Sequence, residues 1–352
     1  MKKMFKFPSI DQFRTVVSNI NRHHNFVGLD ENGDAIYDPS LPKPVLTFKG
    51  TVKLHGTNAA VSFKYGYDQE GSEYWAQSRE NIITPEKDNA GFAFFVESKK
   101  EIFKKFAVQI GERNLFDVRS NIVTIYGEWC GGNIQKNVGI SNLPKSFFIF
   151  GIKVSPVTDF SDEEENLPPS YWIPYHYLSS PEDNIYNIDD FPIYSIDIDF
   201  NMPQLIQNEL SELTIAVEDE CPVAKAFGFS GIGEGIVWST NVKGIVHRFK
   251  VKGEKHSSSK VKTLASVDVE KLGSIQKFVE YAVTESRFKQ SIENVFPNDE
   301  PIDTKKLGDV IRWVINDVIK EEMDTMVENG IEPKDVNKYV STKVRDMFFK
   351  LI

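Results

Sequence analysis

The texture of the apolar pattern changes once along this chain, near Lys262, and that change constrains the fold more than any other feature of its 352 residues. Before it, from about Val45 to Lys252, short apolar runs are broken by Gly, Asn, Asp and Pro, the signature of antiparallel strands with some helices between them. The spacing predicts strands over 45–53, 59–65, 122–128, 147–154, 235–239 and 245–251, the last two joined by a glycine-closed hairpin loop at 240–244. One helix is expected over 92–109. Residues 155–203, rich in proline and acids, read as surface loops around one or two short elements. After Lys262 the period becomes 3.6. Ile275, Phe278, Val279, Ala282 and Val283 form one stripe, and Leu307, Val310, Ile311, Val314, Ile315, Val318 and Ile319 a second. Asn329-Gly330 stops that helix, and Val336, Tyr339, Val340, Val344, Met347 and Phe348 mark a third. Met323 and Met326 on the second helix read as packing residues. The expected class is α+β: a mainly antiparallel domain over 1–260, then a small all-helical domain over 261–352, with Ser257-Ser258-Ser259 as the hinge.

Charge narrows the function classes. A formal net charge of −10 argues against indiscriminate coating of nucleic acid, which needs clustered cations. Yet Lys243, Arg248, Lys250, Lys252, Lys255, Lys260 and Lys262 face only Glu254 in their stretch, while acids gather at Asp162-Glu163-Glu164-Glu165. Such polarisation suits a protein that grips phosphate on one face. Two cysteines, Cys130 and Cys221, exclude a disulfide framework and a thiolate zinc site. Cys130 reads as a buried packing residue, and His23, His24, His247 and His256 as surface residues. The start of the chain is basic but Pro8, Ser9 and Asp11 interrupt it, so neither a signal peptide nor a membrane span is expected. A cytoplasmic protein fits these readings.

The chemistry concentrates in Lys53-Leu54-His55-Gly56-Thr57-Asn58, where a lysine ends a strand just before a glycine turn. That geometry exposes an amine, and an amine in part deprotonated can attack phosphorus. A lysine so placed is more often a solvated side chain, so its meaning depends on the motifs further along the chain. Tyr126-Gly127-Glu128 brings a carboxylate beside a glycine at a strand end. Phe147-Phe148-Ile149-Phe150 offers an aromatic ring to a purine. Glu234-Gly235-Ile236-Val237 sets a second carboxylate at a strand start. In Arg248-Phe249-Lys250-Val251-Lys252, strand alternation turns Lys250 and Lys252 to one face, where they can bracket a phosphate.

This ordered series resembles the nucleotidyltransferase motifs of covalent ligases and capping enzymes, most closely those of phage RNA ligase 2 and the RNA-editing ligases. Gly132-Asn133-Ile134-Gln135-Lys136-Asn137-Val138 is similar to a further segment of that family. Ala282-Val283-Thr284-Glu285-Ser286-Arg287 and the helices after Asp303 look like its helical C-terminal domain, so the likeness covers nearly the whole chain. The resemblance implies an ATP-grasp-like, antiparallel nucleotidyltransferase domain and an ATP-dependent RNA ligase working through lysyl-AMP. Lys53 would carry AMP, Glu128 would touch the ribose, Phe150 would stack on adenine, and Lys250 and Lys252 would hold the α-phosphate. Glu234, with Glu128, would hold magnesium, and Glu234 would also position the nucleotide. His55, Asn58 and Arg79 would engage the RNA ends. The implied partners are ATP as substrate, magnesium, and RNA as a nicked or bridged duplex, with no membrane and no stable protein partner. Three positions depart from the family's habit: Gly151 where Phe-Asp is common, Ser239 where a lysine is common, and Val52 where some relatives have an acid. A DNA ligase, a capping guanylyltransferase and a non-catalytic RNA-binding relative remain as alternatives.

Overall fold

Burial alternates along the strand Val45–Lys53 (β3), with Phe48, Gly50 and Val52 inward, so one face of it belongs to a core and its last residue ends at an edge of that core. The structure, a computed structural model, describes residues 2–38, 40–64, 73–88, 90–114, 120–156, 170–256, 275–297 and 300–351. The acidic run 162–165, the serine hinge 257–259, Lys260, Lys262 and the end of the 59–65 strand lie outside these residues. Every other predicted strand is present. Two compact units emerge: one of Met1–Ile10, Thr47–Ile196 and Ala216–Arg248, the other of Asp11–Leu46, Asp197–Ile215 and Phe249–Ile352.

The first unit is built on a seven-stranded sheet. It comprises Thr57–Lys64 (β4), Glu73–Ser78 (β5), Ile82–Ile83 (β6), Asn121–Cys130 (β7), Ser146–Pro156 (β8), Tyr171–Ile173 (β9) and Ile185–Asn187 (β10), in the order β10-β8-β7-β4-β5-β6 with β9 also on β8. All of its ladders are antiparallel except β10 on β8. The strands β7 and β8 are buried almost throughout, as their apolar runs require. Phe92–Ser98 (α2) and Lys100–Asn114 (α3) supply Phe92, Val96, Phe103, Phe106 and Ile110 to a core shared with Val61, Val123, Ile125, Phe147 and Ile149. The single helix expected over 92–109 is therefore two. Lys99 leaves the helical region at φ −116°, ψ 19°, and the break re-aims α3 so that Phe92 of α2 and Phe103 and Phe106 of α3 enter one core.

The segment 155–203 is more ordered than its composition suggests. Besides β9 and β10 it holds Ile193–Asp199 (β11), and it buries Ile185, Ile188 and Asn187. Asn187 pays no desolvation penalty, because its amide donates to the Tyr175 and Leu178 carbonyls and accepts from Asp189 N–H. A second sheet runs β11-β3-β12-β13, with β12 at Gly235–Val242 and β13 at Ile245–Lys252. Its hairpin is tighter than expected: Lys243 (φ 51°) and Gly244 (φ 86°) alone turn the chain. Gln207–Asp219 (α4) and Pro222–Ala226 (α5) precede this hairpin.

In the second unit, Ile275–Ala282 (α6), Glu285–Val295 (α7), Leu307–Glu328 (α8) and Pro333–Leu351 (α9) enclose a core of Phe278, Val310, Val314, Val318, Met326, Val340, Val344 and Phe348. The three predicted stripes are there, and α8 ends with Asn329 and a left-handed Gly330, at φ 64°. Of the helices after Lys262, the one missed by periodicity is α7, whose start is marked by Thr284 accepting from Arg287 N–H. Phe13–Asn25 (α1) and the hairpin of Phe26–Leu29 (β1) and Ala35–Tyr37 (β2) belong to the same unit. Gln12, Arg14 and Thr15 reach α8 through the Glu321 carbonyl, Thr325 and Asp324. Met326 is core, whereas Met323 is exposed. His256, expected at the surface, is buried, at the end of a turn that its N–H closes on the Gly253 carbonyl.

Candidate active site

The register of β3 against β12 makes the centre of the site. Lys53 lies opposite Gly235, so the residue just before Gly235, Glu234, is carried to the end of the nucleophile strand. Lys53 Nζ stands 2.7 Å from Glu234 Oε2, with the lysine 20% and the glutamate 3% exposed. His55 Nδ1 is 3.4 Å from the same oxygen. A hydrogen-bonded amine next to a carboxylate so removed from water is positioned and at low dielectric, which strengthens every interaction it makes.

Glu128 enters from β7. It lies opposite Asn58 in the β4 ladder and accepts a 3.0 Å hydrogen bond from Gly56 N–H at Oε1. Only glycine allows that approach, since a Cβ at position 56 would come within 2.5 Å of the Trp129 carbonyl and 2.6 Å of Cys130 Cβ. Burial pushes the Glu128 carboxyl up to about 7; Lys53, His55 and the Gly56 N–H pull it down, and the Glu234 charge pushes it further up. Cys130, buried beside it, has its thiol pushed well up by burial, as an inert packing residue should.

The raised carboxyl has a consequence for stability. Above about pH 7 the folded chain holds a charged, poorly solvated Glu128. As pH falls from about 7 towards the ordinary value of 4.5, the folded chain takes up a proton that the unfolded chain does not, so this group adds stability in that window. Glu128→Gln, which keeps an oxygen for Gly56, is expected to stabilise the chain by about 1–3 kcal/mol at pH 8, with the gain shrinking towards pH 5. Denaturant unfolding at the two pH values checks it; a gain equal at both contradicts it.

Phe150 is placed by a β-bulge. Tyr126 pairs with Gly151 and Gly127 with Ile149, so Phe150 is the extra residue of β8 and its ring is aimed independently of the ladder. Arg79 follows Ser78, which pairs with Ala59, and so stands one strand over from Asn58; it is 47% exposed, with Glu80 Oε1 at 3.8 Å. Lys53, His55, Asn58, Glu128 and Glu234 are thus gathered, and Arg79 lies on the surface beside them.

Lys250 and Lys252 alternate with the buried Phe249 and Val251, as the sequence pattern requires. Within the second unit, Lys250 Nζ sits 2.6 Å from Glu321 Oε2 of α8, both side chains being 15% exposed. Burial alone would raise Glu321, but Lys250, Lys252 and Lys320 more than offset it and hold the carboxyl at about 2. Sequence reading gave no sign of Glu321. Arg248 it placed among the cations of this stretch but gave no role of its own, although it shares the strand face of Lys250 and Lys252. The guanidinium of Arg248 lies 4.3 Å from the Trp172 ring centroid and 5.4 Å from that of Phe7, and burial lowers it to about 10. At Gly151 a Cβ would meet Trp172 at 3.2 Å, a tight contact that the indole would have to ease, and Phe7 at an ordinary 3.6 Å. Val52 is buried in the core, where an acid would be costly.

Among the described residues no group of three or more His, Cys, Asp or Glu forms a ready cage for a metal, and no helix is long and apolar enough to cross a membrane. The Glu128 and Glu234 pair, in which the Glu234 charge raises the cost of ionising Glu128, is an oxygen donor set of the kind that takes a hard divalent cation together with phosphate oxygens.

The model of the RNA ligase family matches residues 47–252, which hold Lys53, Glu128, Phe150, Glu234, Lys250 and Lys252. The chain belongs to the RNA ligase family. Solved structures of the Naegleria gruberi RNA ligase are similar at a distance. The one with PPi matches at 15% identity and a TM-score of 0.37, covering 71% of this chain and 56% of that one. A mutant with ATP and Mn matches at 14% and 0.39 over the same shares. A mutant with AMP and Mn matches at 14% and 0.37. The chain spans 56% of the length of these relatives. No curated protein matches.

Proposed function

We propose that the protein is an ATP-dependent RNA ligase of the RNA ligase 2 and RNA-editing ligase type, joining a 3′-hydroxyl to a 5′-phosphate through lysyl-AMP. The observation that carries the reading is the 2.7 Å contact of Lys53 Nζ with the buried Glu234, beside Glu128, at the end of β3. In the first step Lys53 Nζ attacks the α-phosphorus of ATP; the N–P bond forms, the bond to pyrophosphate breaks, and the amine's proton leaves towards Glu234 Oε2. In the second, a 5′-phosphate oxygen of the RNA displaces Lys53 and takes AMP. In the third, the 3′-hydroxyl attacks that activated phosphate and AMP departs. These are in-line displacements at phosphorus, in which positioning and charge neutralisation supply most of the rate. Glu128 serves the ribose, Phe150 the adenine, and Lys250 and Lys252 the α-phosphate, for which Lys250 must exchange Glu321 for the nucleotide. Glu128 and Glu234 would hold a magnesium ion, which when bound neutralises charge on the phosphoryl oxygens. His55, Asn58 and the exposed Arg79 serve the RNA ends.

The substrate proposed is a nick in duplex RNA, including ends bridged by a template. The family supports RNA, and a helical C-terminal stretch with scattered cations and no base-reading motif suits recognition of A-form shape and 2′-hydroxyls. A comparison of sealing rates on nicked RNA duplex, nicked DNA duplex and single-stranded RNA tests it. The RNA duplex is expected to be sealed fastest. Faster sealing of DNA, or transfer of GMP in place of AMP, would move the protein to another branch of the superfamily.

A further inference from the structure

Phe150 is not left to orient itself. Phe7 meets its ring edge-on, with centroids 5.0 Å apart and planes at 72°. The same Phe7 ring meets Tyr126 at 5.3 Å and Trp172 at 5.4 Å, both edge-on, and Arg248 lies over Phe7 and Trp172. Among the described residues no carboxylate pairs with Arg248, so its charge is satisfied by ring faces, which makes the stack sensitive to each aromatic in it. The short segment that carries Phe7 is fastened to the sheet. Trp75 Nε1 donates to the Lys3 carbonyl at 3.0 Å, and Tyr126 OH donates to the Phe5 carbonyl at 3.1 Å. The amide of Gln77, 2% exposed, accepts from Phe5 N–H and donates to the Phe5 carbonyl. Gly151 borders the arrangement: a Cβ there would crowd Trp172 at 3.2 Å and touch Phe7 at 3.6 Å.

We propose that Phe7 is a positioning residue for the nucleobase: strapped to the sheet by Gln77 and backed by Trp172 and Arg248, it holds Phe150 in the one orientation that presents a ring face to the purine of ATP. The inference rests on the reading of Phe150 as the stacking residue. A ring on a β-bulge has no ladder neighbour to fix it, and binding to an unfixed ring must meet the entropy of ordering it. An edge-on aromatic pair is worth enough to change affinity by about three- to tenfold.

The test uses α,β-methylene-ATP, which binds without transferring AMP, and inorganic tripolyphosphate, which lacks the base. Phe7→Ala is expected to weaken the analogue about three- to tenfold and leave tripolyphosphate unchanged, with Phe7→Tyr restoring affinity. In a Phe150→Ala background Phe7→Ala should cost nothing further. Unchanged affinity in Phe7→Ala, an equal loss in the Phe150→Ala background, or a matching loss for tripolyphosphate each overturns the proposal. Phe7→Leu, which keeps bulk without the edge contact, gives the same readout should Phe7→Ala fail to fold. If Phe150→Ala alone does not weaken the analogue, the stacking role of Phe150 falls and this inference with it; if binding behaves as expected but no lysyl-AMP forms from ATP, only the ligase reading falls.

Discussion

Lys53→Ala is expected to abolish covalent capture of AMP, a loss of at least about a thousandfold, the scale on which removing a nucleophile acts. Sealing of RNA that already carries a 5′-adenylyl group should fall much less, because that step needs no new bond to Lys53. The alanine variant also strips Glu234 of its 2.7 Å partner while His55 Nδ1 stays at 3.4 Å, so part of any loss would reflect a buried charge left without its pair. Lys53→Arg separates the two effects. A guanidinium keeps the ion pair and the fold but stays protonated and cannot attack phosphorus. The arginine variant should therefore melt close to the parent and take up no AMP. Retained adenylylation in either variant, measured with labelled ATP and magnesium, would remove Lys53 from the mechanism.

The second large effect is on stability, in the helical unit. Arg287 is fully buried, and its guanidinium reaches Asp317 Oδ2 at 2.8 Å, Glu322 Oε1 at 3.3 Å and the Ala282 carbonyl. Tyr281 OH donates to the other Glu322 oxygen at 3.2 Å. Burial raises the Glu322 carboxyl, and Arg287 opposes that rise. Arg287→Ala would leave Glu322 buried without its counter-charge and open a cavity between α7 and α8. A loss of about 3–5 kcal/mol is expected, read by denaturant unfolding and by hydrogen exchange in α7 and α8. Replacing Arg287 and its buried partner by apolar residues, Arg287→Met with Glu322→Leu, should cost less than Arg287→Ala alone, because the one charge left behind, on Asp317, is 21% exposed and keeps contact with water. A double variant as unstable as the sum of its parts would contradict this account of why an arginine sits in that core.

The sequence pattern revealed what depends on neighbours along the chain and missed what depends on neighbours across it. Alternation located β3 to the residue, and 3.6-residue stripes located α6, α8 and α9, because each has one face in a core. The break at Lys99 escaped notice because the apolar spacing on either side is helical; only the shared core shows why the axis must turn. Residues 155–203 read as loops because proline and acids dominate, yet β9, β10 and β11 form there through pairing with strands distant in sequence. The site divides in the same way. Lys53, Glu128 and Glu234 carry recognisable motifs, and the register of β3 with β12 and of β4 with β7 turns those motifs into contacts. Glu321 and Phe7 had no such signal. Glu321 is one acid on a long helix, 71 residues from Lys250, and Phe7 gains its meaning only when β5 and β7 provide Gln77 and Tyr126 to hold its segment.

Mass spectrometry of the purified protein after incubation with ATP and magnesium tests the central claim most directly. The chain is expected to gain the mass of one AMP, to carry it on the peptide containing Lys53, and to lose it when pyrophosphate is added back. An unchanged mass, or an adduct on any other side chain, would contradict the account.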